Sequence, residues 1–194
     1  MILVLTIAFS AIFMTMIGSS YAYYIATDGT TINITTGSVD TGVAVVFKQS
    51  QFINVNTGVP ITASDVDNLA SKSVFTITPD TQMLGGSDAI LSISIVDIAI
   101  AEELRVSDFK YKLTYSDGSV TKSVTGDGTD FTDVILSSGN LKLVSLDTVD
   151  KTFDVNKTYT CTLYVWIEES GAVQNILMNK KFRGLIKVNT MFKK

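Results

Sequence analysis

Acid–base and nucleophilic chemistry needs side chains that titrate near neutral pH, and this chain of 194 residues offers almost none. It contains no histidine. The commonest general base, metal ligand and pH switch is therefore missing, and a histidine-based serine or cysteine triad is excluded with it. The single cysteine, Cys161, lies on the apolar side of an alternating run. A small buried hydrophobe is the expected role there, and no intramolecular disulfide can form. The turns around Asp117 and Asp127–Asp130 could hold Ca²⁺, but neither has the ligand spacing of a dedicated calcium loop. Asp147 with Asp150, and Glu102 with Glu103, are the nearest approach to paired acids. Proximity in sequence sets no separation across a substrate. There is no HExxH, CxxC or glycine-rich phosphate loop. No catalytic, cofactor-binding or metal-binding residue is assigned, no cofactor is expected, and the chain is expected not to be an enzyme. Asn33-Ile34-Thr35 and Asn156-Lys157-Thr158 match glycosylation sequons, which matter only in a host with that machinery.

The strongest signal is instead the start of the chain. Met1–Thr27 carries no charge, and Met1–Ile17 is nearly continuous Leu, Ile, Val, Phe, Met and Ala. As a helix the segment would extend roughly 40 Å, long enough to span a bilayer, with Tyr21, Tyr23 and Tyr24 at the interface. Ser20-Tyr21-Ala22 also sets small residues where a secretory signal would be cut before Tyr23, although no Lys or Arg precedes the apolar core. Residues 1–27 are thus read as a signal peptide or a membrane-anchor helix. Both readings put the remainder outside the cytoplasm, extracellular or at the cell surface.

Charge is uneven. The net value is −4, yet Lys180, Lys181, Arg183, Lys187, Lys193 and Lys194 close the chain with no acid among them. The bland reading is a solvated edge strand, where lysine deters unwanted pairing. The functional reading is a basic end that meets an acidic neighbouring subunit or anionic envelope polymers. Nucleic acid is not expected, because the rest is acidic and shows no aromatic-plus-basic motif.

Residues 28–194 read as one β-rich domain. Thr31–Thr35 alternates as a half-buried strand, and Val43–Phe47 is an apolar run suited to a strand covered on both faces. Phe52–Val55 and Ser73–Thr78 follow, with a short helix over Thr62–Ala70 capped by Ser64 between them. Ala89–Ile100 alternates until its phase changes near Val96-Asp97-Ile98, the mark of a bulge. Phe109–Tyr115 turns through Ser116–Ser119 into Val120–Val124. Short strands are expected at Val134–Leu136 and Leu141–Val144, then a long one to Ile167 with Tyr159, Cys161, Leu163 and Val165 on one face. Phe182, Gly184, Ile186 and Val188 mark the last. About ten short strands with frequent turn signals and one helix predict an all-β fold, an antiparallel β-sandwich or jelly roll.

Several stretches resemble the TasA/camelysin family of bacterial surface proteins. The leader runs into Gly18-Ser19-Ser20-Tyr21-Ala22-Tyr23-Tyr24, similar to that family's cleavage region, and Gly37 falls where the family often starts a strand. Tyr164-Val165-Trp166-Ile167, Asn175, Met178-Asn179-Lys180, Phe182 and Ile186-Lys187-Val188 resemble its closing hairpin. The resemblance implies an exported jelly-roll-like domain whose relatives build extracellular fibres, some by giving a terminal strand to the next subunit. The metalloprotease label of some relatives does not carry over to a chain without histidine or a zinc set. The expectation is a structural surface protein that acts by self-association, in a fibre or coat, or by contact with other envelope components. Residues 1–27 would hold it to a membrane if uncleaved. The alternative is a membrane-anchored virion or minor capsid protein with a jelly-roll ectodomain.

Overall fold

The computed structural model describes residues 43–48, 51–56, 58–136 and 139–192. The expected leader or anchor over residues 1–27 and the expected strand over residues 31–35 lie outside them. Nine strands are described: β1 (Val43–Phe47), β2 (Phe52–Asn56), β3 (Ser71–Pro79), β4 (Ala89–Ile100), β5 (Phe109–Ser116), β6 (Thr121–Asp127), β7 (Leu141–Asp147), β8 (Tyr159–Ile167) and β9 (Lys181–Phe192). Three short helices join them: α1 (Val66–Leu69), α2 (Thr81–Leu84) and α3 (Asp130–Leu136). The fold is all-β, as the alternating pattern predicts.

Strand pairing is nested. β2 pairs with β9, β3 with β8, β4 with β7 and β5 with β6, all antiparallel. The β4·β9 and β5·β8 pairings then join these hairpin-like couples into two sheets. One has the order β1-β3-β8-β5-β6 and the other β2-β9-β4-β7. Their inner faces share one apolar core, as in a β-sandwich. Phe75, Leu113, Cys161 and Leu163 come from the first sheet, and Leu91, Ile93, Phe182 and Ile186 from the second. Phe109, Phe131 and Phe182 meet at one end, with ring centroids 5.2–6.3 Å apart.

Four expectations need correction. Val43–Phe47 is not covered on both faces: Val43, Val45 and Phe47 are buried while Ala44 and Val46 are half-exposed. The reason is that two packed sheets cover each strand on its inner face only, as the same alternation in the central strands β5 and β8 shows. Val134–Leu136 is not a strand but the end of α3. Extended backbone would put Phe131 and Asp133 on one face. Helical spacing instead sets Phe131 and Val134 together against the core and leaves Asp133 exposed. The helix expected over Thr62–Ala70 shrinks to one turn, and Ser64 does not cap it. The Asp65 carboxylate accepts from the Thr62 hydroxyl at 2.7 Å and makes no side-chain cap bond either. Finally, β9 is not an edge strand over Lys181–Leu185, where β2 flanks it on one side and β4 runs along the other; only beyond Leu185 does no described strand pair with the β2 side.

Other features match. The bulge expected near Val96-Asp97-Ile98 appears as a register shift between Val96 and Ala99 against β9. Asp97 takes φ +51° there, a left-handed conformation that a short polar side chain tolerates. One short helix, α2, has no counterpart in the sequence reading. Asp80 caps it, accepting from the Gln82 and Met83 N–H groups at 2.8 and 3.2 Å.

Gly128 is the tightest point of the β6–α3 corner. Its N–H donates to Phe109 O at 2.7 Å and to Val106 O at 3.1 Å. A methyl at this position would be driven into the Leu104 and Val106 carbonyl oxygens, which belong to backbone and cannot swing away. Gly128→Ala is therefore expected to lower stability by about 1–3 kcal/mol. Urea denaturation of both proteins checks it, and an unchanged midpoint would refute this account of the corner.

Candidate functional site: an open strand edge beside a cleft

The carboxylates singled out by sequence hold turns. Asp117 closes the β5–β6 hairpin by accepting from the Ser119 and Val120 N–H groups, both at 2.8 Å, while Gly118 supplies the positive φ the turn needs. Lys157 donates to the other Asp117 oxygen at 3.3 Å. The Val120 and Ser119 N–H bonds, then Lys157, bring this carboxyl down to about 2. Asp127 binds the Thr129 hydroxyl and N–H, and these, the hydroxyl first, lower its pKa. Asp130 receives the Tyr111 hydroxyl at 2.8 Å and the Asp127 N–H at 3.0 Å. Burial first, and then Asp130, push the Tyr111 phenol up.

Asp147 and Asp150 do not face a common substrate position. Each accepts from the N–H two residues on, Val149 at 2.9 Å and Thr152 at 2.9 Å. Glu103 pairs with Lys180, which lowers its pKa, and Glu102 is exposed at the start of a 3-10 turn. Cys161 is fully buried, and burial pushes its thiol up to about 12. Asn156 of the second sequon is exposed in the turn before β8, and Asn33 lies outside the described residues. Among the described residues, no three Cys, Asp or Glu side chains converge as a metal-ligand group. No described helix is long and apolar enough to cross a membrane.

The feature that sequence reasoning missed is on β9. β2 has five residues and covers Lys181–Leu185 only, whereas β9 has twelve. At the junction the Ile186 N–H donates to Gln51 O at 3.1 Å, and the Ile186 carbonyl accepts from Gln51 Nε2 at 2.9 Å. Backbone groups alternate sides along a strand, so those of Val188 and Thr190 point the same way as those of Ile186. Among the described residues no strand pairs with them there. Met191 and Phe192, at the far end, are 58% and 45% exposed. The Thr190 hydroxyl is buried without a partner.

A cleft of about 420 Å³ borders this edge. Val45 and Phe47 of β1, with Val96 and Val188, line its apolar part, and Asp97, Asn140, Lys187 and Asn189 supply polar groups. The signal in the sequence was the mismatch in length between Phe52–Val55 and the final strand, which has meaning only once the two are known to pair.

No family model, curated protein or solved structure matches the chain.

The depressed Asp117 carboxyl makes a prediction with a definite sign. Its folded-state value of about 2 lies below the ordinary 3.8, so its stabilisation is present above that value and is lost as pH falls towards 2. Asp117→Ala should be less stable than the native chain at pH 5, and the gap should narrow as pH falls towards 2. Unfolding midpoints across that range provide the check, and parallel curves would contradict it.

Proposed function

We propose that the chain is a non-enzymatic, exported structural protein that self-associates through the open edge of β9. The observation that carries this reading is the unequal reach of β2 and β9. It leaves Val188 and Thr190 with backbone groups directed past the end of β2, beside a cleft with apolar walls. A row of that kind, with no described strand paired to it, can template an added strand, with main-chain bonds giving affinity and side-chain pockets giving specificity. The apolar leader Met1–Thr27 supports export, and the stretches similar to the TasA/camelysin family support a role in a surface fibre.

The strand order supports a jelly roll as the finer description of the fold. Orders β2-β9-β4-β7 and β3-β8-β5-β6 are those of one long antiparallel hairpin, β2–β5 against β6–β9, rolled over so that its couples alternate between sheets. The same order supports the second reading, a coat-associated virion protein whose leader is retained as an anchor, since jelly rolls also build capsids. N-terminal sequencing of native material separates the two: a start at Tyr23 favours the surface fibre, and a retained 1–22 segment with coat proteins around it favours the virion.

Thr190→Pro removes an N–H from the open edge while leaving the β4 ladder its donors. The variant is expected to stay monomeric in analytical ultracentrifugation, with its β-type circular dichroism retained, under conditions where the native chain forms assemblies visible by electron microscopy. Persistent monodisperse monomers of the native chain under all conditions would rule the reading out.

A further inference from the structure

We infer that the outer face of the β2-β9-β4-β7 sheet is a docking surface for an anionic polysaccharide, a glycan chain carrying repeated carboxylates or phosphates. Lys181, Arg183 and Lys187 occupy alternate positions of β9 and are all exposed, on the side opposite Phe182, Gly184 and Ile186. Lys142 of β7 is exposed as well, and Lys142 and Lys187 both sit opposite Ser94 of β4. They are therefore level, roughly 10 Å apart across two strand spacings. Along β9, Lys181 and Arg183 are roughly 7 Å apart, and Lys187 stands roughly 13 Å beyond Arg183. These four cations are spread over a face rather than gathered round a point. A small anion would meet one of them at a time. A polymer with repeating charge meets several at once and gains by multivalency.

Charge complementarity selects the occupant. The chain is acidic overall, yet this face is basic. On the other sheet, Lys110 is within 4 Å of Asp127 and Glu168, and Lys112 of Asp67. None of Lys142, Lys181, Arg183 and Lys187 takes part in an ion pair among the described residues. Two acids border the face. Asp97 stands at the bulge, and Asp147 lies at the end of β7, where its carboxylate accepts from the Val149 N–H. Ser94 lies between Lys142 and Lys187, Leu185 lies between Arg183 and Lys187, and Ser92 opposite Asn189 continues the face beyond them. Small hydroxyl and amide groups keep the surface low and offer donors and acceptors to sugar hydroxyls. The cleft at the β9 margin is lined by Asp97, Asn140, Lys187 and Asn189 together with Val45 and Phe47 of β1. Edge protection explains neither Lys181 nor Arg183: β2 and β4 flank Arg183, and Lys181 lies between Asn56 of β2 and Ala101, whose N–H donates to the Lys181 carbonyl at 3.1 Å.

This inference shares with the proposed function only its exported location. Assembly is read by microscopy and polymer binding by mobility, so either can fail alone. The test is affinity electrophoresis of the full chain, in mild detergent, through gels containing a polyuronate, a phosphomannan or neutral dextran. Retardation by either anionic polymer and not by dextran is expected, and the polymer that acts identifies carboxylate or phosphate as the ligand. The variant K142Q/K181Q/R183Q/K187Q is expected to bind at least tenfold more weakly, with the slope of log K against log salt reduced by roughly 3. The control K48Q/K72Q/K122Q/K151Q removes the same charge elsewhere and is expected to bind within about twofold of the native chain, as distant exposed charges are screened. Equal loss in the two variants, retardation by dextran, or binding to anionic lipid vesicles with neither polymer bound would overturn it.

Discussion

The antiparallel pairing of β4 with β9 is the constraint from which the rest of this architecture hangs. Both strands have twelve residues, and their register runs from Ala89 opposite Phe192 to Ile100 opposite Phe182. Long pairing of this kind is expensive in chain entropy, because almost the whole sequence between the two strands must be closed into a loop. It is offset by burying Leu91, Ile93, Ile95, Phe182 and Ile186 from one face. Once β4 and β9 are joined, β7 and β2 have one edge each to occupy, and the second sheet has an apolar face to cover.

That single pairing also creates the surface features. The bulge at Asp97 turns the end of β4, and at the same level β2 stops, so that β9 runs on against β4 with no other described strand beside it. Gly184 sits at this crowded level. A side chain there would strike Ile95, so the core face of β9 narrows to backbone between Phe182 and Ile186. The period of two then puts every cation of Lys181–Lys187 on the outside. A margin with no described strand beside it and a row of outward cations are thus two consequences of one strand being longer than its neighbour and alternating over Lys181–Lys187.

The aspartates show the opposite economy of scale, acting within a few residues of themselves. Asp80, Asp117, Asp127, Asp147, Asp150 and Asp154 each accept from an N–H two residues ahead. This is the behaviour of short acidic side chains in turns, and it ties the loops between strands to defined geometries. Such carboxylates have their lone pairs engaged by the backbone. Their density in the sequence reflects the number of corners in the fold.

Alternation alone determined most of the strands, because a half-buried sheet demands it residue by residue. Phe109–Tyr115, Tyr159–Ile167 and Phe182–Val188 are legible for that reason, and so is the bulge at Asp97, where the alternation slips. Absence of histidine and a lone Cys161 on an apolar face were equally plain. Tertiary structure decided what depends on partners distant in sequence. Val134–Leu136 became helical because Phe131 and Val134 both reach the core only at helical spacing. Val43–Phe47 has one covered face because the two sheets pack on their inner faces only. The closing basic strand moved from margin to interior because β2, some 130 residues earlier, pairs with its first half. Local pattern records which face of a strand is dry. Which strand lies alongside it, and where that neighbour stops, is settled by the packing of the whole chain.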